Sequence, residues 1–211
     1  NYLFRSSMVG FFAKSESAKR FDAQIQRLQR MYAQPAQQVL YNLIGSHDTE
    51  RFLTLCGADE RKLMLAAAFQ MTYTGMPAIY YGDEIGMTGG NDPDCRKAMD
   101  WNHINADLLA FYRRITALRA TEPALRLGSF STVHADEQSY GFLRHFGAET
   151  VYAIFNRSSE TVRLQIPALE SSNAMARPLL GETVISLTPI DDNDRFYRSD
   201  RMRYRSSFGV V

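Results

Sequence analysis

Helix-like and strand-like patterns alternate along the first 122 residues, and this alternation limits the folds open to the chain. Apolar side chains recur at helical spacing in residues 18–33, 59–74 and 106–120. Short, nearly continuous apolar runs lie between these segments, at residues 38–45 and 78–86, as expected for strands buried on both faces. Strands that alternate with helices at this spacing form parallel βαβ units. Residues 1–122 are therefore predicted to form an α/β region with parallel strands.

Capping and breaking residues mark the ends of these helices. Pro35 is expected to end the first helix, because proline lacks the N–H that continues the hydrogen-bond ladder. Asp59 is expected to cap the second helix, which Gly75 and Pro77 would stop. Pro123 marks the end of the third helix.

The periodicity changes after this point, and residues 123–211 form a second unit in the pattern. Its apolar runs are short, rich in β-branched and aromatic residues, and separated by polar turns; they cover residues 140–146, 151–158, 161–167, 183–189 and 208–211. Such runs predict an antiparallel β-sandwich domain. Between the last two runs, aspartates balance most of the five arginines in residues 191–207, which favours a solvated loop over a nucleic-acid contact.

Composition excludes several classes of partner. The net charge is +1, so no long-range field recruits nucleic acid or an anionic membrane. No apolar run approaches the roughly 20 residues that cross a bilayer. Only Cys56 and Cys95 occur, with no zinc-like spacing, and both are predicted to be free thiols. Free thiols favour the cytoplasm.

Polar residues follow the first predicted strand directly. The stretch "VLYNLIGSHD" ends in His47 and Asp48. In parallel α/β architectures ligands bind beyond the carboxyl ends of the strands, where a carboxylate can accept hydrogen bonds from sugar hydroxyls and stabilise developing positive charge. The alternative is structural, since Asp48 or Ser46 could cap a helical turn in residues 49–55.

A second polar group follows the next predicted strand, which we expect to end at Asp83 and Glu84. In the loop beyond it, Asp92 and Arg96 could clamp neighbouring hydroxyls, since a guanidinium fork would stand beside an acceptor. Trp101 could offer a flat apolar face to a sugar ring. An ordinary surface loop is the alternative. The spacing does not match an EF-hand calcium loop, so no metal is predicted here.

Three segments, in order, resemble the α-amylase superfamily, glycoside hydrolase family 13. "NLIGSHDTERFL" resembles its fourth conserved region, and the form "GSHDTERF" is most similar to neopullulanases, cyclomaltodextrinases and maltogenic amylases. "TGMPAIYYGDEIGMTGGNDPDCRKAMDW" resembles the segment around the eighth barrel strand. "LRATEPALRLGSF" resembles the junction into the C-terminal β-domain, whereas the tail "DDNDRFYRSDRMRYRSS" departs from the family as an insertion.

The resemblance implies the C-terminal part of a (β/α)8 TIM barrel that cleaves α-1,4 or α-1,6 glucosidic bonds with retention. By position, Asp48 matches the carboxylate that stabilises the transition state, and His47 matches the imidazole that binds the same sugar. Asp92 and Arg96 match a pair that grips the neighbouring glucose. No role is carried over for Glu50 or Arg51.

The resemblance also implies an incomplete site. The family's nucleophilic aspartate and acid/base glutamate follow barrel strands four and five, whereas this chain is expected to begin near the end of strand six and to hold strands seven and eight. We therefore expect a chain inactive alone, which needs the missing half or self-association, with calcium possible only in that half. The alternatives are a transglycosylase or isomerase of the trehalose synthase or sucrose-cleaving type, and a non-catalytic carbohydrate-binding fragment.

Overall fold

A computed structural model describes residues 1–160 of the chain and, beyond these, residues 165–167, 179, 187–189, 196–199 and 208–210. The α/β part runs α1 (Tyr2–Met8, continued as a π-helical turn Val9–Ala13), α2 (Ala18–Met31), α3 (Gln34–Val39), β1 (Tyr41–Leu43), α4 (Phe52–Leu55), α5 (Glu60–Thr72), β2 (Met76–Ala78), α6 (Ala106–Thr121) and α7 (Pro123–Leu127). Within the described residues, none of the helices combines the length and apolarity of a membrane span.

The three long helices form where apolar spacing predicts them. The Ser17 hydroxyl accepts a hydrogen bond from the Arg20 N–H at the start of α2, and the Asn105 side chain caps α6 in the same way. The Asp59 carboxylate accepts from the Arg61 N–H, which confirms the predicted cap of α5. Helix α1 was not predicted.

The two short strands of this part pair in parallel, as predicted. Tyr41 lies opposite Met76, and Leu43 lies opposite Ala78. Helices α4 and α5 connect the strands, which makes this segment a βαβ unit.

Both predicted strands are longer than the observed ones, and the second is misplaced. Of the predicted strand 38–45, only Tyr41–Leu43 forms β1. Its first residues belong to α3 instead, and Pro35 lies in the first turn of that helix rather than ending α2. The predicted strand 78–86 is wrong: β2 ends at Ala78, and residues 83–85 form a 3₁₀ turn. Gly82 and Gly86 have φ values of 84° and 86°, a left-handed conformation that ends extended structure.

The second part consists of antiparallel sheets. Strands β3 (Ser129–Ala135), β4 (Ser139–Phe146), β5 (Glu149–Asn156) and β9 (Phe208–Val210) form one sheet in that order. Strands β6 (Gln165–Pro167), β7 (Leu187–Pro189) and β8 (Phe196–Ser199) form another, with β8 in the middle. The antiparallel pairing is confirmed, whereas the sandwich arrangement stays a prediction.

Two of the predicted runs match strands to within two residues, whereas β3 lies outside every predicted run. The runs 140–146 and 151–158 correspond to β4 and β5. Residues 161–164, 183–186 and Val211 of the other predicted runs lie outside the described residues. The expected loop 191–207 contains β8, so that prediction is wrong for residues 196–199, and the rest of the loop is not described.

One hydrophobic core joins the two parts. The Phe69 ring of α5 lies 5.1 Å from Phe21 of α2, 5.4 Å from Phe142 of β4 and 5.3 Å from Phe155 of β5, between ring centroids. The Phe12 ring lies 6.1 Å from Phe155. We call these five buried residues the aromatic core. It crosses the predicted domain boundary at residues 122 and 123, which falls between α6 and α7.

A buried arginine reinforces this junction. Arg144 of β4 donates from Nη1 to the Thr72 carbonyl at 2.6 Å and from Nη2 to the Gly128 carbonyl at 2.9 Å. Carbonyls in the last turn of a helix have no partner within the helix, so Arg144 satisfies one at the end of α5. Burial lowers the pKa of Arg144 to about 9. The sheet is therefore hydrogen-bonded to the end of helix α5.

Candidate active site

The carboxyl ends of β1 and β2 lie at one edge of the parallel pair, and the segments that follow them carry the predicted polar residues. β1 ends at Leu43, a few residues before His47 and Asp48. The segment after β2 continues to Asp92 and Arg96. Parallel pairing brings these two segments to the same edge.

The structure brings all four predicted residues together. His47 Nε2 lies 3.1 Å from Asp48 Oδ1, and Arg96 Nη2 lies 3.9 Å from the same oxygen. Arg96 Nε lies 2.9 Å from Asp92 Oδ1 and donates to the His47 carbonyl, also at 2.9 Å. We call His47, Asp48, Asp92 and Arg96 the polar edge cluster. Arg96 is its centre, because it contacts the other three.

The polar edge cluster faces solution. Its four side chains are 47% to 65% exposed. Carboxylate acceptors and guanidinium donors are thus available together to a polyhydroxylated ligand, because vicinal hydroxyls both donate and accept hydrogen bonds. Such an arrangement can bind a sugar and stabilise positive charge beside it.

Asp48 is positioned by groups on two elements. The Tyr2 hydroxyl of α1 donates to Asp48 Oδ2 at 2.9 Å, and the Ser46 hydroxyl accepts from the Asp48 N–H at 3.2 Å. Helix α4 begins only at Phe52, and no side chain in the described part of the chain caps it. The alternative that Asp48 or Ser46 caps this helix is therefore wrong. Tyr2 lies too far away in sequence for spacing to have indicated it.

The loop that carries Arg96 is fixed by its own hydrogen bonds. The Gly90 N–H donates to Asp94 Oδ2 at 2.6 Å, and this bond lowers the pKa of the Asp94 carboxyl. Cys95 is buried, and its Sγ lies 3.2 Å from the His47 carbonyl oxygen. The second loop is thus attached to the first through Cys95 and Arg96 together.

Two further predictions concern groups near this loop. Trp101 lies in the turn that follows and is strongly exposed, so its ring is accessible. Among the described residues, no three histidine, cysteine, aspartate or glutamate side chains stand close enough together to hold a metal ion.

Beneath the cluster lies a buried ion pair that the sequence did not indicate. Arg51 and Asp83 have side chains 0% and 2% exposed, and Arg51 Nη1 lies 3.1 Å from Asp83 Oδ1. Burial raises the pKa of Asp83 to about 7, although the neighbouring Arg51 opposes the shift. Sequence reasoning placed Asp83 at a strand end and gave Arg51 no role. No spacing rule connects residues so far apart.

The amino-acid sequence of this chain matches a known protein family. Residues 1–110 match the model of the alpha amylase catalytic domain. The chain is 48% identical to neopullulanase 2 of Thermoactinomyces vulgaris over 174 residues, which is 79% of this chain and 30% of that protein. It is 41% identical to a cyclomaltodextrinase of Geobacillus thermopakistaniensis over 187 residues, 86% of this chain and 32% of that protein.

A solved structure agrees with these sequence relatives. A cyclomaltodextrinase structure superposes with a TM-score of 0.83 at 32% identity, covering 100% of this chain and 36% of that one. The chain thus spans about a third of the length of the relatives it matches. The family model covers more than half of the 211 residues, and the chain belongs to the α-amylase family.

Proposed function

We propose that this chain is part of a glycoside hydrolase that cleaves α-glucosidic bonds of maltodextrins, cyclodextrins or pullulan with retention. The observation that carries the proposal is the polar edge cluster, in which Asp48, His47 and Asp92 all contact Arg96 at the carboxyl edge of two parallel strands. The relatives named neopullulanase and cyclomaltodextrinase support the substrate class.

Each residue of the cluster has a proposed role that follows from its chemistry. Asp48 stabilises the positive charge that develops on the sugar as the glycosidic bond breaks, because its carboxylate is exposed and held by Tyr2 and His47. His47 hydrogen-bonds the same sugar. Arg96 and Asp92 present a donor and an acceptor to the neighbouring glucose.

Retention requires more than this cluster supplies. Two carboxyl groups about 5–5.5 Å apart must flank the bond, one as nucleophile and one as proton donor. Asp48 acts in this proposal as neither. We therefore propose that both groups come from another part of the gene product, and that the 211-residue chain alone hydrolyses no glucan.

The open sheet edge supports a further part of this proposal. Among the described residues, β1 and β2 pair only with each other, and the apolar side chains of Tyr41 and Met76 are exposed beside them. Exposed strand edges with apolar side chains promote association. The 211-residue chain alone should self-associate or bind the rest of the barrel. A stable monomer at micromolar concentration in analytical ultracentrifugation would count against this.

A cytoplasmic location is also proposed, on the strength of the cysteines. Cys56 and Cys95 are buried free thiols, and burial raises the pKa of Cys56 to about 12. Fractionation of cells that express the gene product, followed by immunoblotting, tests the location. Recovery outside the cytoplasm would contradict it.

The complete gene product tests the proposed function. We expect release of reducing sugar from cyclodextrin, pullulan or starch, with nuclear magnetic resonance showing that the first product keeps the α-configuration. Asp48→Asn should lower turnover by a factor of about 1,000, because the lost charge acts in the transition state. The control, Asp107→Asn, changes an exposed carboxylate in the first turn of α6 and should leave turnover unchanged.

Other outcomes would identify another function. Near-normal turnover in Asp48→Asn would remove this residue from the mechanism. Transfer or isomerisation products in place of hydrolysis would favour the transglycosylase or isomerase type. Binding of maltooligosaccharides without any turnover by the wild-type gene product would indicate a non-catalytic carbohydrate-binding protein.

A further inference from the structure

The buried pair Arg51 and Asp83 joins the two segments that carry the polar edge cluster. Arg51 follows Asp48 by three residues in the segment after β1. Asp83 precedes Asp92 by nine residues in the segment after β2. The pair therefore connects the segment that carries Asp48 to the segment that carries Asp92 and Arg96.

Arg51 holds the second segment at several points. Its Nη1 donates to the Tyr81 carbonyl at 2.7 Å as well as contacting Asp83, and its backbone N–H donates to the Gly89 carbonyl at 3.0 Å. Its guanidinium carbon lies 4.7 Å and 4.9 Å from the ring centroids of Tyr80 and Tyr81. These contacts fix both the start and the middle of the segment after β2.

Asp83 also packs against Gly45, two residues after the end of β1. A Cβ atom on Gly45 would overlap with Asp83 Oδ2. Only glycine leaves room for the carboxylate at this position, so the Asp83 side chain packs directly against the backbone between Leu43 and His47. A displacement of Asp83 would therefore displace Gly45 and the residues that follow it, which lead to His47 and Asp48.

A buried ion pair of this kind is weak evidence for a gain in stability. Removing two charges from water costs free energy that their attraction does not fully return unless every polar atom is satisfied. Arg51 Nε, Arg51 Nη2 and Asp83 Oδ2 have no hydrogen-bond partner among the described residues. Burial raises the pKa of Asp83 against the effect of Arg51 and Arg5, and Glu84 adds to the rise. The burial of the pair thus carries an electrostatic cost.

We propose that Arg51 and Asp83 are positioning residues that set the distance and orientation of Asp48 relative to Arg96 and Asp92. This inference deepens the proposed function and rests on it. A glucose held by one segment must meet the carboxylate of the other, and a misplacement of about 1 Å costs about 100-fold in rate. The pair acts through the two segments and does not itself touch the sugar.

Arg51→Lys in the complete gene product is the first test. Lysine keeps the charge but loses the planar fork and its stacking on the two tyrosines. We expect kcat for a linear maltooligosaccharide to fall about 10- to 100-fold, with a much smaller change in KM. Arg144→Lys is the matched control, since Arg144 is equally buried but lies at the sheet junction. That variant should lose thermal stability while keeping kcat.

Hydrogen exchange followed by mass spectrometry gives a reading that needs no activity. In Arg51→Lys, and in the isosteric Asp83→Asn, the amides of residues 46–50, 88–92 and 94–96 should exchange faster together. Arg144→Lys should leave both segments unchanged. If the wild-type gene product hydrolyses no glucan, the proposed function fails and the exchange result alone decides the positioning role.

Three results would overturn the inference. The first is unchanged exchange in both segments of the Arg51 and Asp83 variants. The second is an equal loss of kcat in Arg51→Lys and Arg144→Lys. The third is unfolding of both pair variants at a temperature at which Arg144→Lys stays folded, because the pair would then be needed for the fold and not for position.

Discussion

The aromatic core and the polar edge cluster differ in burial and in polarity. Phe69 of the core belongs to α5, the helix that connects β1 and β2, while the cluster follows the ends of those strands. The core side chains are buried, whereas the cluster side chains are about half exposed. Ion pairs between exposed groups contribute only about 0–1 kcal/mol. The core therefore contributes far more to stability than the cluster does.

The largest expected effect on this comparison is that of Phe69→Ala. The substitution leaves a cavity where helices and sheet meet, and it should lower the free energy of unfolding by about 3–5 kcal/mol. Denaturant unfolding of the complete gene product measures the change. Phe146→Ala, at the exposed end of β4, is the control and should change stability by no more than about 0.5 kcal/mol. An equal decrease in the free energy of unfolding in the two variants would contradict the assignment of Phe69 to the core and of Phe146 to the surface.

Arg96→Lys should show the opposite behaviour, with little change in stability and a clear change in binding. Lysine retains the charge but not the fork that contacts Asp92 and the His47 carbonyl. We expect KM for a maltooligosaccharide to rise about tenfold with kcat nearly unchanged, because the lost contacts bind substrate and transition state alike. Lys97→Ala removes a neighbouring cation paired with Asp94 and should leave KM unchanged. A large fall in kcat would contradict the binding role of Arg96.

The smallest expected effect concerns a partly buried polar network outside the cluster, in the turn between β3 and β4. Partial burial raises the pKa of Asp136, but hydrogen bonds from Ser139 and Gln138 outweigh it and leave the pKa below its ordinary value. This stabilisation is present above the ordinary pKa of about 3.9 and is lost as the pH falls through the folded-state pKa.

Asp136→Asn should therefore lower the free energy of unfolding by up to about 1 kcal/mol at pH 7, with no loss of activity. The difference from wild type should shrink as the pH falls below 4. Glu137→Gln, which changes an exposed carboxylate paired with Lys19, is the control and should have a smaller effect. Reduced turnover in Asp136→Asn would extend the functional region beyond the polar edge cluster.

The sequence predicted those parts of the fold that depend on regular spacing. Helices α2, α5 and α6 follow their apolar periodicity, and strands β4 and β5 follow their short β-branched and aromatic runs. The strand expected at residues 78–86 fails because Gly82 and Gly86 adopt left-handed backbone conformations that composition alone does not reveal. A glycine in an apolar run is compatible with either strand or turn.

The candidate site residues were predicted from their position in the sequence after predicted strands. Residues directly after predicted strands were identified, which gave His47 and Asp48, and the structure places them beside Asp92 and Arg96. The pairing of Arg51 with Asp83 depends on three-dimensional packing between segments 32 residues apart. No local pattern in the chain encodes such a contact.

The most direct test of the account is the place where a glucan binds. A crystal structure of the complete gene product with Asp48→Asn, soaked in a linear maltooligosaccharide, would show it. We predict sugar hydroxyls within hydrogen-bonding distance of His47 and Arg96, with the ring of the reacting glucose beside residue 48. Sugar bound elsewhere on the protein, with the polar edge cluster contacting only solvent, would contradict the account.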